Sequence, residues 1–262
     1  MMSFDHLAPE VRWALGGIVA ALVLASTIVF ALEKIQRRRF GEELHLRIRT
    51  WWMIAALFGL AIVLNFGASL AFFAFVSFLA LKEYFSLIPT RSADRRVLFW
   101  AYLSIPLQYS LIYTKWYGMF IVFIPVFVFL WLPIRMVMIG RTRGFLRAIG
   151  TIHWGLMTTV FCFSHAAFLL ALEPVEGARL APSWPGAQSA GFPGPGLLIF
   201  LVVLTQLNDV FQYIWGKSFG KLRVVPSVSP GKTVAGLIGG VLTTVALATI
   251  IGPRLTLMAW PQ

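Results

Sequence analysis

The chain has 262 residues, of which 59% are hydrophobic and only 12% charged, and its mean hydropathy is +0.81. A water-soluble domain carries about 25% charged residues, so an ordinary soluble globule, a disordered chain and a disulfide-rich secreted module are excluded, and the single cysteine, Cys162, leaves no internal disulfide or CxxC metal pattern. The net charge of +12 would suit nucleic acid in a soluble protein, but here the basic residues sit in short segments between apolar runs, so they read as membrane-flanking charge and no nucleic-acid partner is expected.

Eight apolar segments, each close to the length needed to cross a ~30 Å hydrocarbon core, are predicted at 13–32, 51–65, 68–88, 97–114, 117–134, 149–172, 197–215 and 233–252. The expected fold is all-α, a single polytopic membrane domain over 1–262. The first run is followed by Glu33, Lys34, Arg37, Arg38 and Arg39, not by a small-residue cleavage site, so it reads as a span. Asn65-Phe66-Gly67 is the only break between the second and third spans and demands a tight turn. Pro106, Pro125 and Pro133 fall within or at the ends of spans, where neighbouring helices can satisfy the carbonyls they free. His153 and His165, on the sixth span with no nearby carboxylate, are read as packing residues ahead of metal ligands. The stretch 173–196 is rich in Pro, Gly and Ala and reads as an external loop.

The basic residues alternate by side. Lys34, Arg37, Arg38, Arg39, Arg47 and Arg49 fall in one loop; Arg91, Arg95 and Arg96 in a second; Arg135, Arg141, Arg143 and Arg147 in a third; Lys217, Lys221, Arg223 and Lys232 in a fourth. The opposite side holds only Arg12, Lys115, Arg179 and Arg254. The positive-inside rule then places the four basic loops in the cytoplasm and both termini outside.

Carboxylates inside spans cost about +2.5 to +3.5 kcal/mol at the centre and are functional candidates by default. Only Glu83 and Asp209 qualify. Glu83, beside Lys82, reads better as an interfacial residue that snorkels. Asp209 lies among Thr205, Asn208 and Gln212 at helical spacing, which predicts one polar stripe near the cytoplasmic end of span seven. Lys217 follows about 12 Å further on if the segment is helical. A carboxylate below a basic loop can hold Mg²⁺ while the loop gathers phosphates; the competing reading is a hydrogen-bonded packing patch. The loop of about 216–232 combines Lys217, Lys221, Arg223 and Lys232 with Ser227, Ser229, three glycines and two prolines. Glycines let a backbone approach phosphate oxygens that cations neutralise, and Ser229 or Thr233 could cap the next helix. Binding of acidic lipid head groups explains the same composition equally well. Gly231-Lys232-Thr233 is discounted as a P-loop, because Pro226 stands where its glycine is needed and the pattern wants a strand before it. Gly236 and Gly240 are read as a close-packing GxxxG pair.

The stretch from Asn208 to Gly240 resembles the CDP-diacylglycerol synthases, or phosphatidate cytidylyltransferases, in a bacterial branch. The resemblance rests on Asp209, Trp215-Gly216-Lys217, Phe219-Gly220-Lys221, Ser229-Pro230-Gly231-Lys232-Thr233 and Gly239-Gly240, with Leu81-Lys82-Glu83-Tyr84 as a weaker feature. It implies transfer of CMP from CTP to phosphatidate, with pyrophosphate leaving and CDP-diacylglycerol as product, for phospholipid biosynthesis. It implies Mg²⁺ held by Asp209, with Asp209, Lys217, Lys221 and Lys232 as catalytic residues. Asn208, Arg223, Ser227, Ser229 and Thr233 would bind substrate. CTP, phosphatidate, the bilayer and a second copy of the chain are the implied partners, and the bacterial inner membrane, with the site facing the cytoplasm, the implied location.

The sequence departs from the family pattern twice. Val234-Ala235-Gly236 stands where the family has Trp-Glu-Gly, and the family's later segment, with a second membrane aspartate and a Pro-Gly-His-Gly-Gly run, is not found before Gln262. A shortened chain is the expected explanation. It keeps two alternatives open: a non-catalytic relative that binds or carries membrane lipid, and a CTP-dependent kinase of a lipid alcohol, which would release CDP.

Overall fold

The computed structural model describes residues 9–36, 42–63, 65–88, 95–140, 144–172 and 194–255, and these are helical apart from short turns and one β-hairpin. The helices are α1 (Pro9–Gln36), α2 (Glu42–Val63), α3 (Phe66–Leu87), α4 (Arg95–Tyr113), α5 (Tyr117–Val137), α6 (Phe145–Ala171), α7 (Gly194–Phe219) and α8 (Val234–Leu255). Strands β1 (Arg223–Val225) and β2 (Ser229–Thr233) lie between α7 and α8. Among the described residues, six helices are long and apolar enough to cross a membrane: α1, α3, α5, α6, α7 and α8. The chain is thus an all-α polytopic membrane protein. Two of the expected spans fall short of that measure. The apolar part of α2 is only Ile48–Val63, about 24 Å of helix, and α4 carries Arg95, Arg96, Gln108 and five hydroxyl residues among its apolar ones. Most of 173–196, and Arg37–Arg39, Arg91, Arg141, Arg143 and Arg179, lie outside the described residues.

The chain divides into two compact units, one formed by Met1–Leu57 with Leu172–Gln262 and the other by Phe58–Ala171. In the second, the predicted tight turn is made by Asn65, whose Oδ1 accepts a 2.9 Å bond from the Ala68 N–H and caps α3. Its core is apolar, with Leu81, Val97, Ile112, Phe120, Ile124, Leu132, Leu156 and Val160 fully buried or nearly so. Several of the buried polar groups are paired across helices, which offsets the cost of burying them in a low-dielectric interior. Ser77 and Tyr109 hydroxyls meet at 2.8 Å, and Tyr84 Oη donates to Thr151 O at 2.9 Å. Pro125 lies within the π-helical stretch Phe123–Val128 of α5. A π register aims residue 125 at Phe120 O, but proline has no N–H to give. Gln108 of α4, fully buried, supplies the bond instead at 3.2 Å and also reaches Ser164 Oγ on α6 at 3.2 Å. His165 is wedged between Phe120 and Phe161, and His153 stacks on Phe129, so both act in packing.

In the first unit, α7 and α8 form a helical hairpin closed by β1 and β2, and α1 packs against both. Trp52 of α2 donates to Ser26 Oγ of α1 at 3.2 Å. The outward faces of α1 and α8 are lined with apolar side chains such as Leu24, Phe30, Ile238 and Leu242. Such faces suit hydrocarbon and would be a liability in water.

Candidate functional site: the α7–β-hairpin–α8 junction

The junction is set by small residues where two helices converge. Thr233 ends β2, and its Oγ1 accepts from the Gly236 N–H at 3.1 Å, capping α8. The same oxygen lies against Gly216 and Gly220: a Cβ on Gly216 would stand 3.0 Å from it and one on Gly220 2.5 Å. Gly236 faces the α7 backbone so closely that a Cβ there would meet Gln212 O at 2.6 Å and Gly216 Cα at 3.1 Å. One turn deeper, Gly239 lies under the Trp215 ring, whose Nε1 donates to Thr243 Oγ1 at 3.0 Å. The GxxxG pair is therefore a packing feature, as expected, and Gly239 extends the seam.

The hairpin itself is antiparallel, with Arg223 opposite Thr233 and Val225 opposite Ser229, and a register irregularity between them. Pro226 and Ser227 form its turn, closed by Val228 N–H to Val225 O at 3.2 Å, and Val234 N–H returns to Leu222 O at 2.9 Å. The predicted loop of 216–232 is therefore two different things. Residues 216–219 are the last turn of α7, and 223–233 is β-structure. Gly231-Lys232-Thr233 is part of a strand, which confirms that it cannot curl around a phosphate as a P-loop does.

The site residues fall into three groups. Lys221, Arg223, Ser227 and Lys232 are exposed on the hairpin and its approach, with Ser229 half-buried at the start of β2. Of the two candidate caps, Thr233 fills the role, and Ser229 sits four residues too early. Asn208 lies in the α7/α8 seam, where its Oδ1 accepts from Thr244 Oγ1 at 3.3 Å. Asp209 is exposed on the open flank of α7. The polar stripe thus splits: Asn208 and Gln212 face α8, while Asp209 does not.

Because α7 continues to Phe219, Asp209 lies about 15 Å below the helix end, deeper than a span ending at 215 implies. Among the described residues no ion pair joins it to the hairpin cations. Lys217 partly bridges the gap. Its side chain folds back toward the helix N-terminus, with Nζ 3.1 Å from Tyr213 Oη and 5.4 Å from the centre of that ring. Asp209, Tyr213 and Lys217 are spaced i, i+4, i+8, so they climb one flank of α7 as a column. Tyr213 was missed in the sequence, although its i+4 spacing from both charges was the signal for it. Among the described residues, no carboxylate pairs with Lys217, Lys221, Arg223 or Lys232, which leaves their charge for an external anion. Among the same residues there is no cluster of three or more His, Cys, Asp or Glu. Mg²⁺ needs only one or two carboxylates when substrate phosphates and water complete its shell, so the donor set fits one ion at Asp209 and not an all-protein cage.

Thr233→Val keeps shape and removes the shared oxygen. It is expected to cost about 1 kcal/mol, read as a lower unfolding temperature of the purified protein in detergent, whereas Ser227→Ala should leave that temperature unchanged.

The profile described as the cytidylyltransferase family matches residues 45–261. An uncharacterized protein of Escherichia coli, YnbB, is 43% identical over 246 residues, covering 93% of this chain and 75% of YnbB. The phosphatidate cytidylyltransferase of Chlamydia trachomatis is 49% identical over 49 residues, 19% of this chain and 16% of that protein. That of Aquifex aeolicus is 54% identical over 46 residues, 18% of this chain and 17% of that protein. No solved structure matches the chain.

Proposed function

The chain belongs to the cytidylyltransferase family, and from that premise we propose that it transfers CMP from CTP to phosphatidate in the membrane, giving CDP-diacylglycerol and pyrophosphate. The observation that carries this reading is the junction of α7 and α8. A membrane carboxylate, Asp209, stands below a hairpin whose cations have no carboxylate partner among the described residues. The short, dense matches to phosphatidate cytidylyltransferases support the choice of lipid.

In this reading a phosphate oxygen of phosphatidate attacks the α-phosphorus of CTP, and the bond from that phosphorus to the β-phosphate oxygen breaks. Phosphoryl transfer of this kind needs positioning and charge neutralisation more than covalent chemistry. Lys221, Arg223 and Lys232 hold the triphosphate at the head-group level. Lys217, braced on Tyr213, carries positive charge down the column toward Asp209. Thr233 and the glycine seam fix the hairpin over the end of α7. Mg²⁺ at Asp209 would neutralise charge on the reacting phosphates when bound. The acyl chains stay in the bilayer, and the excess of basic residues in the sequence between apolar segments supports a site that faces the cytoplasm, with a bacterial inner membrane as the proposed location. A second copy of the chain is a further proposed partner.

The test is incorporation of label from CTP into lipid by the purified chain, with phosphatidate micelles and Mg²⁺. α-Phosphate label recovered in CDP-diacylglycerol is the expected result. Label from the γ-phosphate in lipid, with CDP released, would identify a lipid kinase instead. Lipid binding without any CTP consumption would favour a carrier.

A further inference from the structure

The unit Phe58–Ala171 holds an arginine that the proposed reaction does not use. Arg135 lies in the last turn of α5, half-buried, with its guanidinium carbon 5.4 Å from the centre of the Trp100 ring and 5.8 Å from that of Trp131. The two indoles stand edge to face at 5.2 Å and 77°. Val97, one turn before Trp100, and Leu132, next to Trp131, are fully buried, while Trp131 is 42% exposed, so the cluster borders the apolar core and keeps an open side. Among the described residues the buried Nε atom has no hydrogen-bond partner, and Nη1 reaches only the Met138 thioether at 3.6 Å. Among the described residues no carboxylate pairs with Arg135.

An arginine offers five N–H donors and cannot shed its charge. Stacking on indoles satisfies its faces and leaves its edge unmet. The surroundings favour an anion. The Trp100–Trp131 contact brings the start of α4 to the end of α5, so Arg96 lies at this end of the unit. Stacking of Phe129 on His153 and the bond from Tyr84 to Thr151 bring the start of α6 and the end of α3 there too, with Arg147, Lys82 and Glu83. Of these described side chains only Glu83 is acidic, and it is exposed. Indoles at the end of a span mark the head-group level, where the available oxyanion is a lipid phosphate.

We propose that Trp100, Arg135 and Trp131 form a binding site for the phosphate of an anionic phospholipid. The indoles lie along its glycerol and upper acyl region, and the guanidinium edge grips the phosphate oxygens. This site stands independently of the reaction proposed for the α7–α8 junction.

The test uses the full chain in neutral detergent. Native mass spectrometry counts bound phosphatidylglycerol or phosphatidylcholine, and thermal unfolding is followed in parallel. Wild type is expected to bind phosphatidylglycerol at least about tenfold more tightly than Arg135→Met, the size of one lost charge-assisted bond. Arg135→Lys, which keeps the charge and loses the planar fork, should fall between them. The rise in unfolding temperature on adding phosphatidylglycerol should vanish in Arg135→Met. Equal affinity in wild type and Arg135→Met overturns the proposal. So does a variant that melts lower without lipid but keeps the full lipid-dependent rise, the mark of a purely structural role. Displacement of the lipid by millimolar inorganic phosphate would assign the site to the free anion and overturn the lipid. Should Arg135→Met not fold, Trp100→Leu, which leaves the charge in place, is expected to weaken phosphatidylglycerol binding several-fold, and no change there also overturns the proposal.

Discussion

Asp209→Asn is expected to lower CTP-dependent labelling of phosphatidate by at least about a hundredfold, the usual cost of losing one preorganised charge at a phosphoryl or acyl centre. Protein yield and unfolding temperature should stay close to wild type. The second half of this prediction follows from the structure. Asp209 is exposed on the open flank of α7 and, among the described residues, makes no hydrogen bond or ion pair that asparagine would break. Its neighbour provides the contrast. Asn208→Ala removes the acceptor for Thr244 in the seam, so it should lower the unfolding temperature first and activity only in consequence. Parallel measurement of melting and of label incorporation separates the two. A fully active Asp209→Asn protein would remove the carboxylate from the proposed chemistry and, with it, the proposed place of Mg²⁺.

Much of the architecture was legible because membrane spans are read from apolar length, and a hydrocarbon core leaves few alternatives to helix. The break at Asn65, the GxxxG seam and the packing roles of His153 and His165 followed from residue type and spacing alone. The hairpin did not. Ser229-Pro230-Gly231-Lys232-Thr233 contains proline and glycine, both poor strand formers, and nothing local announces that it will pair with Arg223–Val225. Pairing is imposed from below, where Thr233 must reach back over Gly216 and Gly220. The length of α7 was underestimated for a related reason. Gly216 looks like a helix end, yet here its missing side chain makes room for Thr233 while the helix runs on to Phe219. In the candidate site, residue identities were readable and their division of labour was not. Asn208 and Asp209 are adjacent in sequence but about 100° apart around the helix, which sends one into the seam and leaves the other open.

That seam makes the second large effect predictable. Gly236→Ala adds a single carbon, which on an isolated helix would be worth up to about 1 kcal/mol in favour of folding. Here the added Cβ would stand 2.6 Å from Gln212 O and 3.1 Å from both Gly216 Cα and Thr233 Oγ1. Two of those three atoms belong to the backbone of the facing helix and cannot turn aside as a side chain would. Relief requires α7 and α8 to separate, which strains the Trp215–Thr243 bond one turn below and lifts Thr233 from its seat above. Overpacking of this kind costs about 1–3 kcal/mol, and the loss of coupled contacts adds to it, so destabilisation exceeds the helix-propensity gain. The expected outcome is an unfolding temperature lower by several degrees together with a large fall in activity, because the hairpin cations lose their fixed position relative to the end of α7. Gly231→Ala, in the same hairpin but with nothing within 4 Å of its added carbon, supplies the control and should change neither. If both variants behave as wild type, the close approach of the two helices is not what holds the hairpin in place, and the seating role given to Thr233 falls with it.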